Sequence, residues 1–229
     1  MNADLFGIEK DFYKMPDKLK NILFDKQTRE NFFRKFLEED SDLSKDQFHE
    51  LFMSEMANRK KKKQDFTPNS VAQVLNRLSE FEDDNYYEIA AGSGGLAIAH
   101  WWQECQKEFP WEYRPSEHFH YLEELDELAT LILIFNMSIR GMNAVIVMGD
   151  SLEKTASNVF LIQNYLDDPM GFSDVNIVPC NELAEKTLDI KFVNSIYEPH
   201  IETPMGVNIR KRNDADRFLS ELLKSASNN

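Results

Sequence analysis

The chain has 229 residues, with 26 Lys and Arg against 40 Asp and Glu, which gives a formal net charge of −14. Long-range attraction to phosphates needs positive potential, so this charge excludes a protein that coats nucleic acid with its whole surface. With 42% hydrophobic residues and 17 Phe, the chain can bury enough apolar surface to fold. The length favours one compact domain together with a helical arm.

The cysteines and the amino terminus indicate the compartment. Cys105 and Cys180 lie far apart, without the spacing of a zinc site, so neither a disulfide framework nor a metal site is predicted. The amino terminus has no basic start followed by an apolar run, and no stretch approaches the roughly 18 consecutive apolar residues of a membrane span. We therefore expect a cytoplasmic protein without a membrane partner.

Residues 8–60 are predicted to form three helices, because their apolar residues recur at spacings of three and four. Ser44, followed by Gln47 three residues later, indicates a capping box at the start of the third helix. The predicted division is a helical arm over residues 1–64 and a second domain over residues 65–229.

From residue 86, short apolar runs alternate with helical stretches, which is typical of a parallel sheet with crossover helices. Asp126 is predicted to cap the second of these helices, and Gly141 to end it. The predicted strands are 86–90, 118–122, 144–148, 174–178 and 190–196, and the predicted helices are 96–107, 126–140 and 214–225. The sequence thus predicts an α/β fold.

Three features fall at the ends of the first three predicted strands, where open α/β sheets bind ligands. The first strand leads into the turn AGSGG at residues 91–95, whose glycines let the backbone approach a ligand. The second strand ends at Glu123 and Glu124, of which Glu124 is better placed to meet ribose hydroxyls. The third ends at Gly149-Asp150 and places a carboxylate where it can meet an adenine amino group.

Each feature also has a simpler structural interpretation. Many glycine-rich turns only join a strand to a helix, one or both glutamates can be solvated, and Asp150 can close a turn with its own side chain. The turn lacks the Lys-Ser/Thr of a phosphate-binding loop and the spacing GxGxxG, so neither triphosphate hydrolysis nor a dehydrogenase is favoured. An uncharged turn with acids around it suits a ligand that carries an amino acid, a ribose and an adenine, which is S-adenosylmethionine.

These residues resemble the N6-adenine DNA methyltransferases, especially the modification subunits of type I restriction systems. Residues 66–68 (FTP) are similar to that family's F/Y-T-P segment, and residues 87–95 (YEIAAGSGG) to its D-P-x-x-G-S-G-G loop. Residues 120–126 (HYLEELD) are similar to its Y-G-x-E-x-N stretch. Residues 136–141 followed by GDSL at 149–152 resemble N-x-x-x-x-G and then G-D-T-L. The motifs occur in the same order as in the family.

The resemblance implies a Rossmann-like class I S-adenosylmethionine-dependent methyltransferase fold, with a mainly parallel sheet behind a short helical arm. It implies S-adenosylmethionine as the cofactor, with Glu124 on the ribose and Asp150 on the adenine. The implied cofactor-binding residues are Phe66, Thr67, Pro68, Glu88, Ala90, Gly92, Ser93, Gly94, Glu124, Leu125, Asp150 and Ser151.

The catalytic motif departs from the family. There the fourth strand ends in Asn-Pro-Pro-Tyr/Phe, which holds the flipped target adenine. Here the matching positions are Val178, Pro179, Cys180 and Asn181, so valine stands where the catalytic asparagine is expected. Valine cannot accept a hydrogen bond from the adenine amino group. Whatever catalysis this stretch supports would involve Val178, Pro179 and Asn181.

Three functions remain open from the sequence. The first is adenine-N6 methylation of DNA, and the second is an inactive methyltransferase-fold module that docks to DNA or to a restriction-modification protein. The third is methylation of another acceptor, with Asn181 or Asp174 close to it. The basic run RKKKK at residues 59–63 provides Lys60, Lys61, Lys62 and Lys63 as candidate phosphate contacts, although such runs are also common as solvated helix ends.

Overall fold

The computed structural model describes residues 14–49, 70, 71, 74 and 85–204, and all structural statements concern these residues. Phe66, Thr67 and Pro68, the basic run at 59–63 and the terminal helix predicted at 214–225 lie outside them.

Two amphipathic helices open the described chain. Helix α1 (Met15–Leu23) has Pro16 in its first turn, where a missing N–H costs nothing. Helix α2 (Lys26–Glu39) begins after Asp25, whose carboxylate accepts a hydrogen bond of 2.8 Å from the backbone N–H of Thr28. The next helical residues are Phe48 and His49.

The start of that third helix differs from the prediction. Asp46, and not Ser44, accepts a hydrogen bond from the backbone N–H of Phe48. The Ser44 hydroxyl instead donates to Asp42. The predicted capping box is therefore wrong, because Ser44 lies in a turn stabilised by Asp42.

Strands and helices alternate after residue 85, and the predicted α/β class is confirmed. Each predicted element from residue 85 to residue 150 is present within a few residues of its expected bounds. The elements are β1 (Asn85–Ile89), α3 (Gly95–Cys105), a 3₁₀ turn (Pro115–Glu117), β2 (Phe119–Glu124), α4 (Glu127–Ile139), β3 (Asn143–Asp150), β4 (Thr155–Gln163), β5 (Asp174–Ile177), α5 (Glu182–Leu188) and β6 (Lys191–Phe192).

The sheet is mixed but mainly parallel, as predicted: β1, β2, β3 and β5 run in one direction, and β4 and the short β6 run in the other. Strands β1, β2 and β3 are parallel neighbours, as expected for strands joined by crossover helices. Strand β4 turns back after Asp150 and pairs antiparallel with both β3 and β5. The sequence analysis did not predict β4.

The strand order places the motifs far apart. The order is β1-β2-β3-β4-β5, with β6 beside β4, so β1 lies at one edge of the described sheet. In a doubly wound fold the strand order reverses next to the first strand, which puts that strand inside the sheet. The described strands show no such reversal. Strand β5, which precedes the degenerate motif, lies four positions away from β1.

The two faces of the sheet are covered unequally. Helices α3 and α4 pack on one face, and the core there continues into α1 and α2 through a Phe cluster around Phe135. On the other face, α5 covers β3 and β4 with Ala184 and Leu188. Tyr87 and Ile89 are exposed, so the described residues leave β1 open on that second face.

The described part of the N-terminal arm is integrated into this core. Arg29 is buried and forms an ion pair with Glu202, and Lys26 donates a hydrogen bond of 2.6 Å to the buried Asp174. The boundary between residues 64 and 65 remains a prediction. Among the described residues, no helix is long and apolar enough to cross a membrane.

Candidate functional site

The glycine turn depends on glycine for its shape. Gly92 and Gly94 have φ values of 59° and 89°, in the left-handed region that favours glycine. Gly94 is the N-cap of α3, and a Cβ there would lie 2.6 Å from Cδ1 of Leu133. Ala90, just before the turn, also has a positive φ of 58°, which is strained for a residue with a side chain. The turn is thus held tightly between β1 and α4.

Glu124 is attached to the turn. One oxygen of this buried carboxylate accepts a hydrogen bond of 2.7 Å from the backbone N–H of Gly92. The other accepts from the N–H groups of Leu125 and Asp126, at 2.9 and 2.8 Å. The structure therefore brings together two predicted cofactor-binding residues, Glu124 and Gly92, at the carboxyl ends of β1 and β2.

Glu88 lies beneath the start of α3. Its carboxylate accepts a 3.1 Å hydrogen bond from the Tyr86 hydroxyl and interacts with the backbone N–H of Ala97. Because Gly94 has no capping side chain, Glu88 takes that role for one orphan N–H. Burial, with a smaller contribution from Glu124, raises the pKa of Glu88 to about 7. This carboxyl therefore keeps its proton to a higher pH than an ordinary glutamate does.

Ser93 is part of a buried network that the sequence analysis missed. Its hydroxyl donates to Asp46 at 2.5 Å, and its carbonyl accepts from the amide of Asn136 at 2.8 Å. The same amide donates to the second oxygen of Asp46 at 3.0 Å. Arg140 then donates to the side-chain oxygen of Asn136 at 3.1 Å and to the carbonyl of Lys45 at 2.7 Å.

A sequence signal existed for only part of this network. Asn136 and Arg140 are four residues apart on α4, so they lie on the same helix face and can be paired from sequence. Asp46 is 47 residues from Ser93, and nothing in the local pattern indicates that pairing.

The end of β3 contributes to a different part of the structure from the glycine turn. Asp150 accepts hydrogen bonds from the backbone N–H groups of Leu152 and Glu153, at 2.9 and 3.1 Å, which closes the turn between β3 and β4. Oδ1 of Asp150 thus closes a turn, which is the simpler structural interpretation of this residue. Asp150 and Ser151 line a cavity on the second face of the sheet, together with Glu123. Leu125 is 67% exposed at the edge of the turn.

Val178 and Asn181 of the degenerate motif stabilise the fold around α5. The side chain of Val178 is 2% exposed and packs in the core beneath α5, and its N–H donates to the carbonyl of Val159 at 2.9 Å. The Asn181 side chain caps α5 by accepting from the N–H of Ala184 at 2.9 Å. Pro179, half-buried, lies between them. No contact joins these residues to the glycine turn within the described chain.

The separation follows from the strand order. Neighbouring strands are about 4.8 Å apart, so the four spacings between β1 and β5 separate the two motifs by about 19 Å. Reacting atoms must approach to about 3 Å. In this arrangement a ligand held at residues 90–95 does not meet the side chains of residues 178–181.

Comparison with known proteins identifies the family. The model of the N-6 DNA methylases matches residues 40–181, which is more than half of the 229 residues. The chain belongs to the N-6 DNA methylase family. None of the curated proteins and none of the solved structures matches it. The family region begins at residue 40, so it includes Asp46 as well as the glycine turn and Glu124.

Proposed function

We propose that this N-6 DNA methylase family member binds S-adenosylmethionine at the glycine turn and Glu124 and does not itself transfer the methyl group. As a module of this kind it docks to DNA or to a restriction-modification protein. The observation that carries the proposal is the contact between Glu124 and Gly92, combined with the position of Val178 four strands away.

The described residues fit the proposed cofactor. A carboxylate can accept about four hydrogen bonds, and Glu124 accepts three from backbone N–H groups, which fixes its orientation and leaves room for a ribose hydroxyl. Gly92 presents no side chain toward a ligand, and Gly94 lets the turn pack closely against α4. Glu88 provides a carboxyl group for the cofactor's amino group, and a bound cation would favour its ionised form.

Methyl transfer is disfavoured by the chemistry of residues 178–181. The S-adenosylmethionine sulfonium would supply an electrophilic methyl group, and the protein must then hold an acceptor amine close to it. Val178 offers no hydrogen-bond acceptor and is buried. Asn181, the one amide side chain within this stretch, already caps α5. Neither side chain can orient an adenine over the glycine turn.

Active adenine-N6 methylation of DNA is the second candidate. The family match favours it, because the matched region extends through residue 181 and so includes the degenerate motif. For this function the motif would have to approach β1 in a different strand arrangement. The basic run Lys60, Lys61, Lys62 and Lys63 would contribute phosphate contacts in either candidate.

Binding can be tested by isothermal titration calorimetry of the full chain with S-adenosylmethionine. The variant Glu124→Gln should weaken binding about tenfold or more, because the amide cannot accept from all three N–H groups and reach a ribose hydroxyl as well. The matched control is Glu123→Gln, one residue away on the opposite side of β2. Full affinity in Glu124→Gln would contradict the proposed site.

Transfer is tested with S-adenosylmethionine labelled in the methyl group and unmethylated duplex DNA. We expect binding without label in the DNA. Label recovered as N6-methyladenine would overturn the non-transferring function and establish the second candidate.

A further inference from the structure

A cavity on the second face of the sheet does not include the glycine turn or Glu124, where the cofactor is proposed to bind; of the cofactor-binding residues that the resemblance implies, Asp150 and Ser151 line it. It has a volume of about 610 Å³, within the range of small-molecule sites. It lies between the open part of β1 and β2 and the segment that ends α5. Its lining includes Tyr87, Phe119, Tyr121, Glu123, Asp150 and Lys154.

The cavity and the glycine turn lie on opposite sides of β2. Successive side chains of a strand point to opposite faces, and the last two residues of β2 show this. Glu124 turns toward Gly92, whereas Glu123 lines the cavity and accepts a hydrogen bond of 2.8 Å from the Tyr87 hydroxyl. The adjacent acids therefore serve two different places.

One wall of the cavity, formed by β1 and β2, is aromatic. The rings of Tyr87 and Tyr121 stack with their centroids 5.2 Å apart and 24° between their planes, and Phe119 continues the surface along β2. Tyr87 is 59% exposed, so this platform is accessible. Val147 and Leu188 provide the apolar floor and side. Such a surface favours a flat ring that can stack on it.

The charged residues that line the cavity determine which ligand charge is favoured. Glu123, Asp150 and Asp189 line the cavity, and Lys154 is the one cation among the described lining residues. Lys154 forms an ion pair with Asp189, so its charge is already matched. Two carboxylates remain in excess, which disfavours phosphates and other anions and favours a positive group. Aromatic rings further stabilise a cation placed over their faces.

We infer that this cavity binds a flat organic cation, an aromatic amidinium or ammonium, with the ring against Tyr121 and the positive group at Glu123. The inference goes beyond the proposed function and does not depend on it.

The probes are 2-naphthamidinium and its neutral analogue 2-naphthamide, which share ring and shape and differ in charge. Each is titrated into the full chain and followed by calorimetry. We expect the amidinium to bind at least about tenfold more tightly than the amide. Equal affinities, or no saturable binding of either probe, would overturn the inference.

Variants assign the contacts. Glu123→Gln should reduce amidinium affinity about tenfold and leave amide affinity unchanged, whereas Tyr121→Ala should weaken both. The control Glu153→Gln changes an exposed neighbour outside the lining and should change neither. An unchanged amidinium affinity in Glu123→Gln would contradict the placement. Circular dichroism of each variant reports whether it is folded, and Tyr87→Phe gives a second, milder probe of the Glu123 contact.

A pair of variants separates this inference from the cofactor proposal. Glu124→Gln should lower S-adenosylmethionine affinity and leave the amidinium unaffected, and Glu123→Gln should do the opposite. Loss of amidinium binding in Glu124→Gln would show that the two acids form one site and would overturn a separate cation site. Failure of S-adenosylmethionine to bind the unaltered chain would refute the proposed function alone.

Discussion

The hydroxyl of Ser93 in the glycine turn donates a 2.5 Å hydrogen bond to the carboxylate of Asp46, a residue of the N-terminal segment. Both side chains are buried, and Asn136 bonds to both of these residues. The backbone conformation of the turn therefore depends on a residue outside the α/β sheet. This contact links the N-terminal helices to the place where the cofactor is proposed to bind.

The first prediction concerns this link. Asp46→Asn places an NH₂ group against either the Ser93 hydroxyl or the Asn136 amide, so one donor there loses its acceptor. We expect the free energy of unfolding to fall by about 1–3 kcal/mol. Amide hydrogen exchange at Gly92, Ser93 and Gly94 should become faster without any ligand, because the turn is held less firmly.

A matched control is Asp42→Asn, an exposed carboxylate in the same segment that bonds to Ser44. It should change the free energy of unfolding little and leave exchange in the turn unchanged. Ser93→Ala combined with Asp46→Asn should cost less than the sum of the single changes, since both remove the same bond. Additive costs would mean that the contact does not position the turn.

The second prediction is a pH dependence due to Glu88. Its pKa is raised to about 7 by burial, above the ordinary value of 4.5, so the folded chain binds this proton more tightly than the unfolded chain. Stability from this group is present at low pH and is lost as the pH rises from about 4.5 to about 7. The loss is about 3 kcal/mol at most. Urea denaturation from pH 4.5 to pH 8 should show it, and Glu88→Gln should remove it.

The third prediction is an opposite pH dependence due to His120. Its Nδ1 lies 3.3 Å from the carbonyl oxygen of Asn143, and burial lowers its pKa to about 3. Because the unfolded pKa is 6.5, the unfolded chain binds the proton first as the pH falls. Acidification to pH 5.5 should therefore cost on the order of 1 kcal/mol.

As the pH falls, the contribution of Glu88 to the free energy of unfolding increases while that of His120 decreases. The two contributions therefore partly cancel in the unaltered chain. The measurement is best made in the Glu88→Gln background, where the acid-dependent loss should be visible. Adding His120→Phe should flatten it. A slope that is unchanged by His120→Phe would assign the loss to another group.

The sequence predicts those parts of the fold that depend on neighbouring residues. The N-cap at Asp126 is confirmed, since its carboxylate accepts from Leu128 and Ala129, and Gly141 ends α4 with a φ of 65°. Both signals depend on backbone groups within a few residues. The three parallel strands follow similarly, because glycine, capping residues and apolar periodicity mark their ends.

Strand order and long-range contacts could not be predicted in this way. Whether β5 lies beside β1 or beside β4 depends on the packing of the whole sheet. The sequence around Val178 is compatible with either position. The pairing of Asp46 with Ser93 and the open face beside Tyr87 are also tertiary features. The spacing of Gly92 and Glu124 was informative because both are strand ends of adjacent parallel strands.

The last prediction tests whether the N-terminal helices belong to the core. Arg29 is 1% exposed, donates to the carbonyl of Leu23 and forms an ion pair with Glu202 at the far end of the described chain. Arg29→Leu leaves the buried Glu202 without this partner, and removal of one member of such a pair costs about 3–5 kcal/mol. The control Arg34→Leu removes a surface pair with Glu30 on the same helix and should cost about 1 kcal/mol or less. Equal costs in urea denaturation would show that α2 packs on the core without depending on this buried pair.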